Sequence, residues 1–199
     1  MESQRKKIDR RSKRSQQLLK QSFMELMREK GFTAITIQDI TDRADVNRGT
    51  FYAHFPDKYA LLELSIRQKF RSLLNDKLPS ASGWDNNNLR ILIHTVLEHF
   101  RSLYGRCSPV DTVNQLFERT VQEELAALLS RWLEQLQASQ AEWKVPIETM
   151  ALMISWSIFG AAAQWSRGKS DFTVEEMTAH VLVMITEGTA RVAPIDLPD

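Results

Sequence analysis

Cysteine is almost missing from this sequence. A single one, Cys107, stands among 199 residues, which excludes an internal disulfide and any cysteine-rich metal site. Long apolar runs are missing too. No stretch of about 18 consecutive apolar residues occurs, so no membrane-spanning helix is expected. The basic start, MESQRKKIDRRSKRS, is not followed by an apolar segment, so no secretory leader is expected either, and the protein reads as cytoplasmic. Glycine and proline are scarce, with 7 and 6 copies. No Gly-rich phosphate loop, nucleophile elbow or His-Glu metal helix is present, which leaves an enzyme without its usual signatures. His94 and His99 are five apart. That is not a same-face pair, so no metal site and no cofactor are expected.

The breakers that exist fall at intervals: Gly31, Pro56, Pro79, Gly83, Gly105, Pro109, Pro146 and Gly168. Between them the apolar residues recur at helical rather than alternating spacing. The expectation is an all-α chain of about nine helices and no sheet. They run over about 10–30, 36–44, 48–55, 57–77, 88–104, 110–119, 121–139, 146–167 and 173–189. Leu18, Leu19, Phe23, Leu26 and Met27 form the apolar stripe of the first. Thr36 and Asn47 are N-caps for the second and third. Thr173 with Glu176 makes a capping box for the last.

Charge is small in total, +1, but unevenly spread. Residues 1–71 carry 16 Lys or Arg against 9 Asp or Glu, and residues 72–199 carry 10 against 16. A basic front with an acidic back points to a polyanion contacted by one end only. Seven of the cations are Arg5, Lys6, Lys7, Arg10, Arg11, Lys13 and Arg14. They read either as a solvated tail or as an arm that follows a nucleic-acid backbone.

The second and third helices are short and about three residues apart, which is the spacing of a helix-turn-helix. In that arrangement the second helix of the pair projects into a major groove about 12 Å wide and offers its side chains to base edges. Val46, Phe51 and Phe55 would anchor it inward. Arg48, Gly49, Thr50, Tyr52, Ala53 and His54 are then left for the outer and lateral faces. Arg48 can bond a guanine bidentately, and the methyl groups of Thr50 and Ala53 can meet a thymine methyl. Tyr52, His54 and Lys58 can reach phosphates. Gly49 costs about 1 kcal/mol against Ala inside a helix, which makes sense where backbone must approach a base pair closely.

The stretch GFTAITIQDITDRADVNRGTFYAHFPDKYALL, residues 31–62, resembles the DNA-binding domain of the tetracycline-repressor (TetR) family. The resemblance is specific over about residues 10–65 and one of layout only beyond them. It departs at Asp45, where the family usually has Gly, although Asp tolerates the left-handed conformation a turn requires there. The resemblance implies an N-terminal basic arm and three-helix domain, residues 1–56. A helical effector-binding and dimerisation domain, residues 57–199, follows. It further implies a homodimer that binds a palindromic double-stranded DNA operator and is released by a small-molecule effector, most often as a repressor. Matched residue by residue, it places Thr36 and Gln38 at phosphate- or base-contacting positions, and Arg48, Gly49, Thr50, Tyr52, Ala53, His54 and Lys58 at recognition-helix positions.

Beyond the resemblance the reading thins. PIETMALMISWSIFGAAAQWSR, residues 146–167, is apolar nearly all round and must be covered on more than one face. Family layout pairs the last two helices of each subunit into a four-helix bundle, which nominates Trp156, Gly160, Ala163, Val181 and Met184 for a dimer interface. The same layout puts an effector pocket among helices five to eight. Its candidate walls are His94, Glu98, Phe100, Tyr104, Phe117, Trp132, Trp156 and Phe159, although each aromatic is more often plain core. Cys107, beside Arg106, is a candidate redox sensor against the commoner inert thiol. Two other function classes remain open: an architectural DNA-binding protein of the same fold with no effector, and a helical enzyme whose basic end is incidental.

Overall fold

The computed structural model describes residues 2–104, 111–137, 143–168 and 171–191, with the side chains of 2–9, 103–104, 111–112, 114 and 137 excepted. Every regular element among the described residues is an α-helix, and there are eight: α1 (Glu2–Lys30), α2 (Ile37–Ala44), α3 (Arg48–His54), α4 (Lys58–Lys77), α5 (Asn86–Tyr104), α6 (Asp111–Gln137), α7 (Ile147–Arg167) and α8 (Val174–Ala190). Nine were expected, and the missing break lies at Thr120. This residue is buried inside α6, where its hydroxyl donates to the Leu116 carbonyl at 2.7 Å. A threonine that satisfies itself on the preceding turn does not interrupt a helix. The first helix also starts earlier than expected, at Glu2, so the basic segment is helical.

The chain divides into two compact units, Met1–Ile66 and Arg67–Asp199. In the first, α1 packs on α2 and α3 through Leu19, Phe23, Leu26, Ile40 and Phe51, all buried. Leu18 was expected inward but is 38% exposed. Neighbouring positions on a helix point about 100° apart, and the row 19, 23, 26 takes the inward direction. The end of α1 is set by Gly31, whose φ of 71° is open to glycine and whose N–H closes on the Met27 carbonyl at 3.2 Å.

The second unit is built on α7, which packs against α5 and α6, while α8 lies on α5 and α7. Its aromatic centre is Phe100, with ring centroids 5.6 Å from Phe117 and 5.3 Å from Phe159. The one polar pair buried between α6 and α7 is satisfied among the described residues. Gln122 donates to the Ser155 hydroxyl at 3.0 Å, and Ser155 donates to the Leu152 carbonyl at 2.8 Å. No described helix is long and apolar enough to cross a membrane.

Candidate nucleic-acid interface

The interface starts from two caps. Thr36 accepts from the Asp39 N–H at 3.1 Å, and Asp39 returns the bond to the Thr36 N–H at 2.7 Å, closing a capping box on α2. Asn47 accepts from the Thr50 N–H at 3.0 Å and starts α3. Between them Asp45 turns the chain at φ 50°, the left-handed value that the turn requires. These local bonds fix α3 as a separate rod after α2. Phe51, fully buried, and Phe55, 4% exposed, pin its inner face.

Its outer face divides into two flanks. On one, the Arg48 guanidinium lies over the Tyr52 ring, 5.7 Å from its centroid, and donates to the Tyr52 hydroxyl at 3.3 Å. Arg48 has no carboxylate partner among the described residues, and Tyr52 is 47% exposed. Stacking holds the guanidinium fork in place without neutralising it. On the other flank Gly49, Thr50, Ala53 and His54 line a shallow concavity with Arg11, Ser12 and Ser15 of α1.

The remaining candidates are placed differently. Gly49 has a local reason to be glycine, since a Cβ there would stand 3.1 Å from Asn47 Oδ1, the cap of α3. His54 turns towards α1, where Nε2 lies 2.8 Å from the Ser15 hydroxyl. Ser15 Oγ is also 3.0 Å from the Ser12 carbonyl. When its one proton goes there, His54 Nε2–H is the donor to Ser15. His54, expected at a phosphate, ties α3 to α1 in this structure. Lys58 is engaged within the unit likewise. Its ammonium donates to the carbonyls of Ile35 at 2.7 Å, Phe32 at 3.2 Å and Thr33 at 3.4 Å, and lies 4.6 Å from the Phe32 ring centroid. A cation that satisfies three carbonyls of the α1–α2 loop is a structural clasp. Thr36 and Gln38 are exposed. Thr36 serves as the cap, and Gln38 donates to Asp42 at 2.6 Å.

The other cations of this unit that the structure pairs are away from α3. Arg43 makes a fork on Glu29, two bonds of 2.7 Å, and Lys30 meets Asp39 at 2.8 Å. The Arg43 guanidinium holds the Glu29 carboxyl below the usual range. Lys30, aided by Thr36, holds Asp39 far below it. Arg10, Arg11, Lys13 and Arg14 are exposed along α1. The side chains of Arg5, Lys6 and Lys7 lie outside the described residues.

In the second unit the nominated effector residues do not come together. Phe117 and Phe159 both pack on Phe100, while Trp132, also buried, stands about four turns further along α6 than Phe117. Glu98 and Trp156 are exposed. His94 lies at the surface, 3.7 Å from Glu98 and 3.9 Å from Glu175. Tyr104's side chain and all of Cys107 lie outside the described residues. The fifth to eighth expected helices correspond to α5, α6 and α7, and there the rings of Phe117 and Phe159 both pack against Phe100. A cleft of about 550 Å³ lies between α4, α6 and the segment 79–82, lined by Trp132 of the nominated set, while Glu98 lines a separate, smaller one with Arg101 and Ser102. Beside the larger cleft stands a charge cluster that the sequence does not announce. Glu124, buried, receives Arg67 at 2.5 Å and both Nε and a terminal nitrogen of Arg71. Burial by itself raises the Glu124 carboxyl, and the bonds from Arg71 and Arg67 overcome that, leaving it below its ordinary value.

The nominated interface residues also divide. Trp156, Gly160 and Met184 are exposed, whereas Ala163 and Val181 are buried in their own chain and are corrected to core. Helix periodicity explains the division. Leu152, Met153, Trp156 and Gly160 share one side of α7, with Val183 and Met184 exposed on α8.

Comparison with known proteins fits this geometry. A family model described as "Bacterial regulatory proteins, tetR family" matches residues 23–64, from mid α1 into α4. The chain is 35% identical over 86 residues to the HTH-type transcriptional regulator YxbF of Bacillus subtilis (strain 168), covering 43% of this chain and 22% of that protein. It is 31% identical over 78 residues to the dhaKLM operon transcriptional activator DhaS of Lactococcus lactis subsp. lactis (strain IL1403), covering 39% of this chain and 41% of that protein. The matches thus span less than half the length of these relatives. The solved structure of the flavonoid-responsive regulator FrrA shares the fold, with a TM-score of 0.58 at 22% identity over 88% of this chain and 96% of that one. With its capped α2, its left-handed turn at Asp45 and its separate α3, the stretch 23–64 is similar to the DNA-binding region of the tetR family of bacterial regulatory proteins.

Proposed function

We propose that the protein regulates transcription by binding a two-fold symmetric DNA operator as a homodimer, with α3 of each subunit in a major groove. The reading rests on one observation above the rest. Arg48 is stacked and solvent-facing on the outside of α3, while Arg43 and Lys30 in the same unit are neutralised by carboxylates. An unneutralised guanidinium fork on a projecting helix suits guanine and phosphate. Dimerisation follows from need, because one short helix reads too few base pairs and the exposed apolar face of α7 and α8 offers a surface for a second copy. Repression by occupying a promoter, with release by a small-molecule effector, is the regulatory sense we assign. DhaS, which is named an activator, favours a second one, in which the same binding recruits rather than blocks.

The test is selection of bound duplexes from a random DNA pool. The expected product is an inverted repeat whose half-sites lie about one helical turn, or a small multiple, apart. Enrichment without symmetry, or none at all, removes the proposal. A reporter driven by the selected site then separates repression from activation.

A further inference from the structure

We propose that the cleft between α4 and α6 binds a small hydroxylated organic anion, its carboxylate or phosphate held by Arg71 and Arg131. Three observations carry this. The space of about 550 Å³ is in the range of small-molecule sites. Its charge is not balanced. Glu124 is the one carboxylate lining it, and that carboxylate already receives Arg67 and Arg71. Arg131, exposed on the same lining, has no counter-ion among the described residues, and the Arg71 side chain is still 59% exposed. The cleft therefore has a positive surplus at one end, and guanidinium forks match carboxylate and phosphate oxygens.

The rest of the lining decides the body of the ligand. Trp132, Leu74 and Leu78 are buried, which leaves Pro79 and the half-buried Leu128 as the apolar lining open to an incoming molecule. Asn75, Ser82 and Gln135 line the cleft with side chains that make no hydrogen bond among the described residues. Amide and hydroxyl groups in that condition suit ligand hydroxyls rather than an alkyl chain. Arg71 also gives the site a consequence. It holds Glu124 from α4, so an anion that draws it into the cleft loosens the attachment of α4 to α6. As a regulatory site the cleft rests on the effector-responsive reading above, but the binding itself does not.

The test is calorimetric titration of the full chain with gluconate, glucose 6-phosphate, inorganic phosphate and octanoate. Operator-binding anisotropy is measured in parallel. A hydroxylated anion is expected to saturate one site per chain, and preference for gluconate or for glucose 6-phosphate identifies the acid group. Arg131→Ala should weaken it at least tenfold with helicity unchanged. Ser82→Ala combined with Gln135→Ala should weaken the hydroxylated anions and leave inorganic phosphate as it was. The proposal is overturned when no hydroxylated anion binds, when binding ignores both variants, when phosphate alone binds as well, or when octanoate is preferred. Failed titration with intact operator binding counts against this cleft alone. Failed operator binding with a working titration counts against the regulatory function and leaves the site standing.

Discussion

Two faces of this protein are left uncovered by its own chain, and they are chemically opposite. On α3 the uncovered groups are Arg48, Gly49, Tyr52 and Ala53, with Thr50 half-buried beside them, and water solvates the polar ones well. On α7 and α8 they are Leu152, Met153, Trp156, Val183 and Met184, each between 48% and 63% exposed. Apolar area gains about 25 cal/mol for every Å² removed from water, so the second face has a standing drive towards a partner and the first has none. A polar face of this kind waits for a charged ligand and is tuned by salt. An apolar face of this kind is occupied nearly all the time. On the proposed function, the difference suits α7 and α8 to lasting assembly with a second copy and α3 to reversible, salt-dependent binding.

The sharpest way to break that comparison is to charge the apolar face. Trp156→Glu with Met184→Glu should convert a dimer to a monomer in sedimentation, while helicity is kept because both residues are exposed. Operator affinity should fall by roughly a hundredfold or more, because each half-site then binds alone. A double variant that still sediments as a dimer places the interface elsewhere. On the other face, Arg48→Ala should cost about 1–3 kcal/mol for each lost bidentate contact, with an unchanged melting temperature. Arg43→Ala is its counterpart. That residue is tied to Glu29, so its loss should disturb operator affinity far less. Equal losses from the two arginines contradict the division between neutralised and available cations.

How much of this could be read from the sequence follows from the range of each interaction. The caps at Thr36 and Asn47, the left-handed Asp45 and the inward Phe51 depend on residues within four positions, and they are legible one by one. The contacts of His54 and Lys58 are not legible in the sequence, because their partners, Ser15 and the carbonyls of residues 32–35, are 39 and 23–26 positions away. The cleft and the Glu124 cluster failed for the same reason, since Arg71 and Glu124 are 53 apart. Helical periodicity finds the exposed side of α7, but small size alone does not say which residue is covered, and Ala163, nominated for a dimer interface, is buried in its own chain.

Acid should separate the units further. His99, beside Phe70, Phe100 and Phe117, is pushed down to about 4 by burial and then by the charge of Lys69. A histidine kept neutral in the fold stabilises it above its unfolded value, near 6.5, and that contribution is lost as pH falls from there towards 4. In the first unit the shifted groups are the carboxylates Glu29 and Asp39, whose contribution is lost only below their unfolded values, near pH 4. The second unit should therefore weaken first. Its stability should drop by on the order of 1–2 kcal/mol between pH 6.5 and 4.5, read by chemical denaturation. His99→Leu should flatten that slope. A slope unchanged by the substitution assigns the acid sensitivity to other groups.

The smallest expected effect discriminates between two roles for one residue. Thr36 was nominated for DNA contact, yet its hydroxyl is the cap of α2, accepting from the Asp39 N–H. Thr36→Ala should cost about 1 kcal/mol of stability through the cap alone. Ser keeps the capping hydroxyl and lacks only the methyl, so Thr36→Ser should restore stability. Operator affinity tells the roles apart when it is measured well below the melting temperature of both variants. A residue that only caps leaves affinity near its original value in Ala and Ser alike. One whose hydroxyl also meets a phosphate loses affinity in Ala, recovers it in Ser, and loses with it part of the salt dependence of binding. That outcome would add the start of α2 to the DNA-reading face beside α3.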